Sequence, residues 1–286
     1  MHFGSLVAAT ASYLAARQSQ GEWLVRIEDL DRPREIPGSA DLILRTLDTF
    51  GFEWTGPILK QSARTEAYEE ALAQLEAKAL VYRCSCSRKE IAAASMSGEP
   101  SDEPRYPGLC REGPLNPGAP YAVRFRVPPG AVAFNDAIQG RITVDIEREC
   151  GDFVVRRRDG LFAYQLAVVV DDAYQGITHV VRGADLLGST PRQLLLQQAL
   201  GLPTPEYAHV PLAIDPVGVK LSKSAGAGAV DTSQPATELW RALDFLLQNP
   251  PLELRATDTA TVWQWAVQHW TTAALLGLRQ SSVQTS

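Results

Sequence analysis

The chain has 286 residues, of which 45% are hydrophobic and 21% charged, so its composition is that of a globular protein rather than of a fibre or a disordered tail. Its formal net charge of −6 argues against a general coat for nucleic acid, because non-specific binding to phosphates needs a net basic surface. No segment approaches the ~20 apolar residues of a membrane span, and the apolar N-terminal stretch lacks the positive residues that begin a signal peptide.

The first part of the chain alternates between helices and a strand. Regularly spaced apolar residues predict a core-facing helix that ends at Gly21, and "EWLVRI" predicts a buried strand from Trp23 to Ile27. Two amphipathic helices follow, over "SADLILRTLDTFG" with Ser39 as N-cap, and over "TEAYEEALAQLEAKAL". This alternation predicts a parallel sheet, in which ligands bind beyond the carboxyl ends of the strands. Glu28 directly follows the strand, so it is either a substrate-binding group or an ordinary surface or capping acid.

The composition changes from Cys84 to about Pro120. A capping box at Ser87 and Glu90 predicts a short helix, and a stretch dense in Gly, Pro and Ser follows it. A loop of this length inside a compact domain is uncommon unless something pins it.

Three of the four cysteines fall in this stretch, at Cys84, Cys86 and Cys110. Thiolates from a C-x-C turn and from a distant loop residue can supply three positions of a tetrahedral zinc site, whereas disulfides fit poorly in a chain without an export signal. The fourth ligand is open, because Cys150 is the natural candidate on chemical grounds and Tyr106 is an unusual oxygen donor. Three unrelated thiols that bind no metal are the remaining alternative.

Further along, "FAYQLAVVVDDAY" predicts either an apolar strand or a buried helix, "THVVRG" predicts a strand, and Thr190 and Pro191 predict the N-cap and first residue of a helix. Tyr164 and Arg182 flank these elements. An arginine at the end of a buried strand either binds a carboxylate through its planar donors or forms a structural salt bridge. The run 156–158 consists of arginines and is either a solvated strand edge or a phosphate contact.

The segment "KLSKS" places Lys220 and Lys223 on either side of Ser222, with glycines nearby that predict a mobile loop. Such a loop can close over a polyphosphate and stabilise the charge of departing pyrophosphate. Alone, the segment could be an ordinary exposed loop. The segment "HFGS" begins a helix, and the backbone N–H groups of a helix N-terminus also favour phosphate, so the two together indicate nucleotide binding.

At these motifs the sequence resembles a known family. "HFGS" and "KLSKS" are similar to the H-x-G-H and K-M-S-K-S motifs of class I aminoacyl-tRNA synthetases, and "RIEDLDRPRE" is typical of the glutamate-specific branch. The resemblance is strongest to the short glutamyl-queuosine tRNA(Asp) synthetases. It extends over nearly the whole chain, through the C-x-C…Y-x-x-x-C pattern, "FAYQLAVVVDD", "VVRGADLLGSTPRQ" and "YAHVPLAI".

The resemblance implies a role for each matching residue. His2 and Lys223 would act on ATP during catalysis, and the ATP site would comprise His2, Gly4, Ser5, Lys220, Ser222 and Lys223. Glutamate would bind to Glu28, Tyr164 and Arg182, and structural zinc to Cys84, Cys86, Tyr106 and Cys110, which reverses the chemical preference for Cys150. The substrate carboxylate would attack ATP that is bound with Mg²⁺, so positioning and electrostatics would carry the catalysis.

The implied fold is α/β, a Rossmann-type parallel sheet of class I synthetases with a zinc-binding insertion and a helical C-terminal part. Residues 1–83 and 121–230 would form the halves of the catalytic domain, residues 84–120 the insertion, and residues 231–286 the helical segment. That segment is too short for the anticodon-binding domain of a glutamyl-tRNA synthetase. The implied enzyme is a cytoplasmic monomer that binds no membrane, and its substrates are L-glutamate, ATP and tRNA(Asp) bearing queuosine.

Family members carry an "R-F-A-P-S-P-T-G" strand and loop before the histidine motif, where this sequence has Met1. We therefore expect either a start codon assigned too late or a lost N-terminal strand. Two alternative functions remain at this level. One is an N-terminally truncated glutamyl-tRNA synthetase fragment that charges the 3′ end of tRNA, and the other is a non-catalytic tRNA-binding remnant.

Overall fold

The computed structural model describes residues 1–31, 35–95, 105–215, 218 and 229–283. The segment 220–224, with the predicted ATP-binding residues Lys220, Ser222 and Lys223, lies outside the described residues. Within the described part of the chain, no helix is long and apolar enough to cross a membrane.

Helices and strands alternate along most of the chain. The helices are α1 (Phe3–Gln18), α2 (Ser39–Thr49), α3 (Thr65–Ala77), α4 (Arg88–Ala94), α5 (Ile146–Glu149), α6 (Tyr164–Tyr174), α7 (Thr190–Leu200), α8 (Pro235–Phe245) and α9 (Thr259–His269). The strands are β1 (Arg26–Ile27), β2 (Leu59–Lys60), β3 (Val81–Cys84), β4 (Ala122–Phe125), β5 (Val132–Asp136), β6 (Gly140–Val144), β7 (Val154–Arg156), β8 (His179–Gly183), β9 (Glu206–Val210), β10 (Leu212–Ile214) and β11 (Gln280–Ser282).

The main sheet has the strand order β6-β5-β9-β8. Strand β9 runs parallel to both β5 and β8, and β6 is antiparallel to β5 at one edge. A separate parallel pair joins β1 to β2. The predicted α/β fold with parallel strands is confirmed, and the carboxyl ends of β8 and β9 consequently lie together at one edge of the sheet, where Gly183 is aligned with Val210.

A second sheet has the order β3-β4-β7 and is antiparallel throughout. Strand β3 ends at Cys84, where the cysteine-rich stretch begins, and β4 and β7 follow that stretch, so the sheet joins the two ends of the insertion. The C-terminal segment contributes α8, α9 and also β11, which pairs in parallel with β10. The sequence analysis did not predict this last strand.

Two hydrophobic cores hold these layers together. The first lies between α1, α8 and α9, where Leu6, Leu14, Leu239 and Leu243 have no exposed surface. Burial of each such side chain contributes about 1.5–3 kcal/mol. The second core surrounds α6, whose Leu166 is also fully buried. Helix α6 is covered on several sides, which explains its apolar run at 166–170, and the segment that allowed either a strand or a helix is a buried helix.

Several predicted boundaries are wrong by one or more residues. Helix α1 ends in a turn with Gln20 at φ +53°, so Gln20 rather than Gly21 takes the left-handed position. Gly38, at φ +79°, is the N-cap of α2 in place of Ser39. Ser189 is the N-cap of α7, because the hydroxyl of Thr190 is hydrogen-bonded to an arginine instead. The strand predicted over 23–27 contains only Arg26 and Ile27.

Candidate active site and metal centre

The N-terminus of α1 brings together three predicted ATP-binding residues. His2 is the N-cap, and its Nδ1 accepts a hydrogen bond from the backbone N–H of Ser5 at 3.1 Å. The Ser5 hydroxyl lies 3.0 Å from His2 Nε2. A Cβ atom on Gly4 would lie 3.3 Å from the imidazole ring, so glycine leaves room for this histidine. The first turn also presents backbone N–H groups for which the helix has no acceptor, which suits an anion.

The chain on both sides of the "KLSKS" segment returns to this helix end. Ala229 forms a β-bridge with His2, and the N–H of Val230 donates to the carbonyl of Met1 at 3.0 Å. On the other side, Ala213 of β10 lies 3.9 Å from the position of a Cβ atom on Gly4. The described residues that flank the segment therefore lie beside the "HFGS" motif.

Arg182 lies near the carboxyl end of β8 and is only 8% exposed. Its Nε donates to His209 Nε2 at 3.1 Å, and its Nη2 donates to Thr190 and Gln193, both at 2.8 Å. Its Nη1 donates to the hydroxyl of Tyr164 at 3.2 Å. These four bonds use four of the five N–H donors of a guanidinium group. All four acceptors are neutral side chains. None of these four hydrogen bonds therefore pairs the Arg182 guanidinium with a carboxylate.

His209 links Arg182 to a carboxylate on a neighbouring strand. The ring is fully buried, and its Nδ1 lies 2.6 Å from Asp136 Oδ2. The other oxygen of Asp136 accepts three backbone N–H groups, from Ile138, Gln139 and His209 itself. Burial alone would raise the pKa of Asp136, but the hydrogen bonds from His209 and the backbone lower it overall. Asp136 is therefore ionised in the core.

Glu28 follows β1 and lies beside two further charged groups. Its Oε1 is 3.7 Å from Arg26 Nε, and Arg26 also pairs with Asp172 at 2.6 Å. The side chain is 42% exposed, yet the surrounding protein displaces enough water to raise the pKa of Glu28, against the opposing effect of Arg26 and Arg182. Burial likewise raises the pKa of Asp172. Two carboxylates thus share one region with Arg182.

Tyr164 is the first residue of α6, and its hydroxyl contacts Arg182 directly. Burial raises the pKa of Tyr164, while Arg182 lowers it and Glu28 raises it. Arg182 thus acts on both Glu28 and Tyr164, and the sequence analysis placed these three residues in one site. Two carboxyl groups and a buried cation therefore act on one another in this region, and such a combination of charges fits a zwitterionic amino acid.

The predicted zinc residues also meet. The sulfur atoms of Cys84, Cys86 and Cys110 lie within 4.8 Å of one another, and all three residues are buried. The Tyr106 hydroxyl lies 3.4 Å from Cys84 Sγ and 3.8 Å from Cys86 Sγ, and it accepts the backbone N–H of Cys110 at 2.8 Å. Three thiol sulfurs with one hydroxyl oxygen beside them are a donor set that fits tetrahedral zinc.

The backbone explains how Tyr106 reaches this cluster. Tyr106 forms a parallel β-bridge with Gly151, which has φ +66°. A Cβ atom on Gly151 would collide with the carbonyl oxygen of Tyr106, so only glycine permits this approach. Cys150 lies next to it, but its thiol donates to the carbonyl of Gly151 at 3.2 Å and packs against the second core. Within the described residues, Cys150 is not in the group of three thiols.

The arginine run 156–158 lines an open groove of about 440 Å³ with Tyr121 and Gly118. Arg158 donates to the carbonyls of Ser85 and Cys86, so it also braces the C-x-C turn. Arg157 pairs with Asp31 and Asp159. The run therefore has structural contacts and also faces a groove.

Sequence reasoning missed the residues that surround Arg182: Asp136, Thr190, Gln193 and His209. One signal was available, because "YAHVPL" places a histidine between apolar residues of a strand, and a buried histidine needs a polar partner. That partner, Asp136, lies 73 positions away along the chain. No local pattern indicates such a contact.

The family model for the catalytic domain of class I tRNA synthetases (E and Q) matches residues 1–244. The chain belongs to this family. Among proteins similar to it, a "Glutamyl-Q tRNA(Asp) synthetase" of Dechloromonas aromatica is 56% identical over 95% of this chain and 90% of its own length. A protein of the same name from Geobacter sulfurreducens is 53% identical over 96% of this chain and 90% of its own length.

The family's fold is also found among solved structures. A glutamate-tRNA synthetase from Elizabethkingia anophelis superposes with a TM-score of 0.80 over 99% of this chain, at 23% sequence identity. The chain spans 66% of the length of that synthetase. At this identity the match supports the class I catalytic fold alone.

Proposed function

We propose that this class I synthetase chain activates L-glutamate with ATP and transfers it to queuosine in the anticodon of tRNA(Asp). The observation that carries the proposal is identity above 50% with proteins named glutamyl-Q tRNA(Asp) synthetase, over nearly the whole of both chains. The geometry supports the activation step as well, because Arg182 lies near the carboxyl end of β8, and β10, which follows the neighbouring strand β9, brings Ala213 beside Gly4 at the start of α1.

The region around Arg182 accounts for glutamate through its charges. Glu28 offers a carboxylate to the substrate ammonium group, and Arg182, with Tyr164 beside it, offers a remaining N–H to a substrate carboxylate. The register aligns Gly183 of β8 with Val210 of β9, and β10 continues from there to Ala213 beside Gly4. ATP bound at the N-terminus of α1 would therefore lie next to the amino acid.

Reaction then needs no covalent side-chain nucleophile. The glutamate carboxylate attacks the α-phosphate of Mg²⁺-bound ATP, pyrophosphate leaves, and the acyl group passes from the adenylate to a hydroxyl of queuosine. His2 would hold the α-phosphate from its N-cap position, with Gly4 and Ser5 beside it. Lys223, with Lys220 and Ser222, remains the proposed stabiliser of the leaving group on the basis of its motif.

Zinc, where bound, would take a structural role in this scheme. We assign Cys84, Cys86, Cys110 and the hydroxyl of Tyr106 as its ligands, because the three sulfur atoms lie within 4.8 Å of one another and the hydroxyl lies beside two of them. Zinc would hold the C-x-C turn against the β3-β4-β7 sheet, and it would take no part in the reaction.

The decisive experiment locates the position on the tRNA to which radioactive glutamate is attached. With radioactive glutamate, ATP and queuosine-containing tRNA(Asp), we expect the label on the anticodon-loop fragment after nuclease digestion, and none on tRNA(Asp) that lacks queuosine. Label at the 3′ end would support a glutamyl-tRNA synthetase fragment instead. Absence of glutamate-dependent pyrophosphate exchange, alongside tRNA binding, would support the non-catalytic remnant and refute the proposal.

A further inference from the structure

The buried pair Asp136–His209 stands outside the predicted substrate-binding residues, yet it ends on Arg182. The two residues lie on β5 and β9, and their side chains have no exposed surface. Burial of a carboxylate and an imidazole to this degree costs desolvation free energy, so the pair is expected to have a role. The hydrogen bonds around His209 indicate that role.

The contacts determine which ring nitrogen carries the proton. Arg182 Nε–H points at His209 Nε2 at 3.1 Å, and because a guanidinium N–H can only donate, this contact requires a lone pair on Nε2. The hydroxyl of Thr190, which accepts from Arg182 Nη2 at 2.8 Å, lies 3.2 Å from Nε2 and fits this assignment, since a hydroxyl can donate as well as accept. The proton of the neutral ring is therefore on Nδ1, where it is donated to Asp136.

We propose that Asp136 and His209 are positioning residues for Arg182: by fixing the Nδ1–H tautomer of His209, Asp136 makes Nε2 an acceptor that orients the guanidinium toward the substrate carboxylate. The opposite tautomer would place an N–H of His209 against the N–H of Arg182. The guanidinium would then have to rotate away from Thr190 and Tyr164. This inference rests on the proposed function, in which Arg182 binds glutamate.

Asp136→Asn tests the idea with little change in shape. The amide oxygen can retain the three backbone N–H bonds now made to Oδ1, which leaves the amide NH₂ facing His209 Nδ1. Because NH₂ donates, it forces the ring proton onto Nε2. We expect the KM for glutamate to rise by about 10- to 100-fold, by analogy with the loss of groups that orient metal ligands. The KM for ATP should stay within about twofold, because His2 is held by separate contacts.

Substitutions at His209 provide a second test that does not depend on Asp136. In His209→Gln, the side-chain oxygen can accept from Arg182 Nε, so the glutamate KM should remain near that of the wild type. In His209→Leu no acceptor remains, and the KM should rise as in Asp136→Asn. His179→Leu is the matched control, since His179 is on β8 with 58% of its side chain exposed. Equal effects of Gln and Leu at position 209 would overturn the proposal.

The tautomer can be read directly from the ¹⁵N resonances of the His209 ring, without any activity. We expect Nδ1 protonated in the wild type and Nε2 protonated in Asp136→Asn. A wild-type ring protonated on Nε2, or equal rises in KM for glutamate and ATP, would refute the positioning role. Wild-type protein that lacks glutamate-dependent exchange would instead refute the proposed function, while the ring spectrum still decides the tautomer.

Discussion

At the scale of single residues, Arg182 carries the largest expected effect. Arg182 is 8% exposed and its guanidinium is held by neutral acceptors, so a substrate carboxylate would supply the opposite charge. We expect Arg182→Ala to weaken glutamate binding by about 2 to 5 kcal/mol, because truncation leaves a buried anion unpaired. The affinity for ATP should change much less. Initial rates of pyrophosphate exchange, with each substrate varied in turn, measure both effects.

Arg17→Ala is the control for this substitution. Arg17 pairs with Glu53 on the surface at 2.6 Å, and exposed pairs of this kind contribute about 0.2–1 kcal/mol. Neither KM should change in that variant. If Arg182→Ala raised the KM for ATP and for glutamate equally, Arg182 would be a structural residue of β8.

The sequence indicates Arg182 as a candidate ligand for a carboxylate, but it does not indicate the residues that accept hydrogen bonds from Arg182. Its place at the end of an apolar strand suggested a ligand for a carboxylate, and the resemblance added Tyr164 and Glu28. The hydrogen bonds from Arg182 to Thr190 and His209, and from His209 to Asp136, form only when α7, β9 and β5 pack together. Thr190 illustrates the conflict, because its position predicted an N-cap, whereas the buried arginine provides a stronger hydrogen-bond partner than the helix end.

At the scale of secondary-structure elements, amphipathic periodicity predicted the long helices, since their burial repeats with the helical turn. The ends were less predictable. Gly38 and Gln20 adopt positive φ at helix ends where the sequence favoured other residues. The short strand β1 and the added strand β11 are defined by pairing partners far along the chain, Leu59–Lys60 and Leu212–Ile214, and no local pattern contains that information.

The metal cluster joins β3 to the loop that carries Tyr106 and Cys110, so its test belongs to this scale. We expect the purified protein to bind about one zinc through thiolates. The double variant Cys84→Ser, Cys86→Ser should lose this zinc, because it removes two of the converging donors. Cys150→Ser should retain zinc, since that thiol contacts the Gly151 carbonyl. Metal analysis of the dialysed proteins measures each outcome.

Tyr106→Phe separates the oxygen ligand from the thiols. Loss of the hydroxyl should weaken retention of zinc against a chelator, while the aromatic ring can keep its place beneath Arg124, whose Cζ lies 3.8 Å from the ring centroid. If zinc were retained in the Cys84/Cys86 double variant, the cluster would not be a metal site. If Cys150→Ser lost zinc and Tyr106→Phe kept it, Cys150 would be the fourth ligand.

At the scale of the whole molecule, the net charge of −6 conceals a local basic surface. Arg83 is exposed and lies over the ring of Tyr121 at 4.6 Å, and Tyr121 and Arg156 line the same groove. Arg83 and Arg156 both pair with Val123, from opposite sides of β4, so the β3-β4-β7 sheet aligns them in one row. An exposed aromatic ring beside cations suits the bases and phosphates of a single-stranded RNA loop.

We therefore expect the double variant Arg83→Gln, Arg156→Gln to bind tRNA more weakly and with a smaller dependence on salt. Each lost phosphate contact should reduce the slope of log K against log salt concentration by about one. Glutamate-dependent pyrophosphate exchange should be unchanged, because neither arginine contacts the residues around Arg182. Arg255→Gln is the control, since Arg255 lies over Trp240 in the C-terminal segment. Filter-binding titrations over a range of salt concentrations provide the measurement, and an unchanged slope in the double variant would mean that the groove does not hold the tRNA backbone.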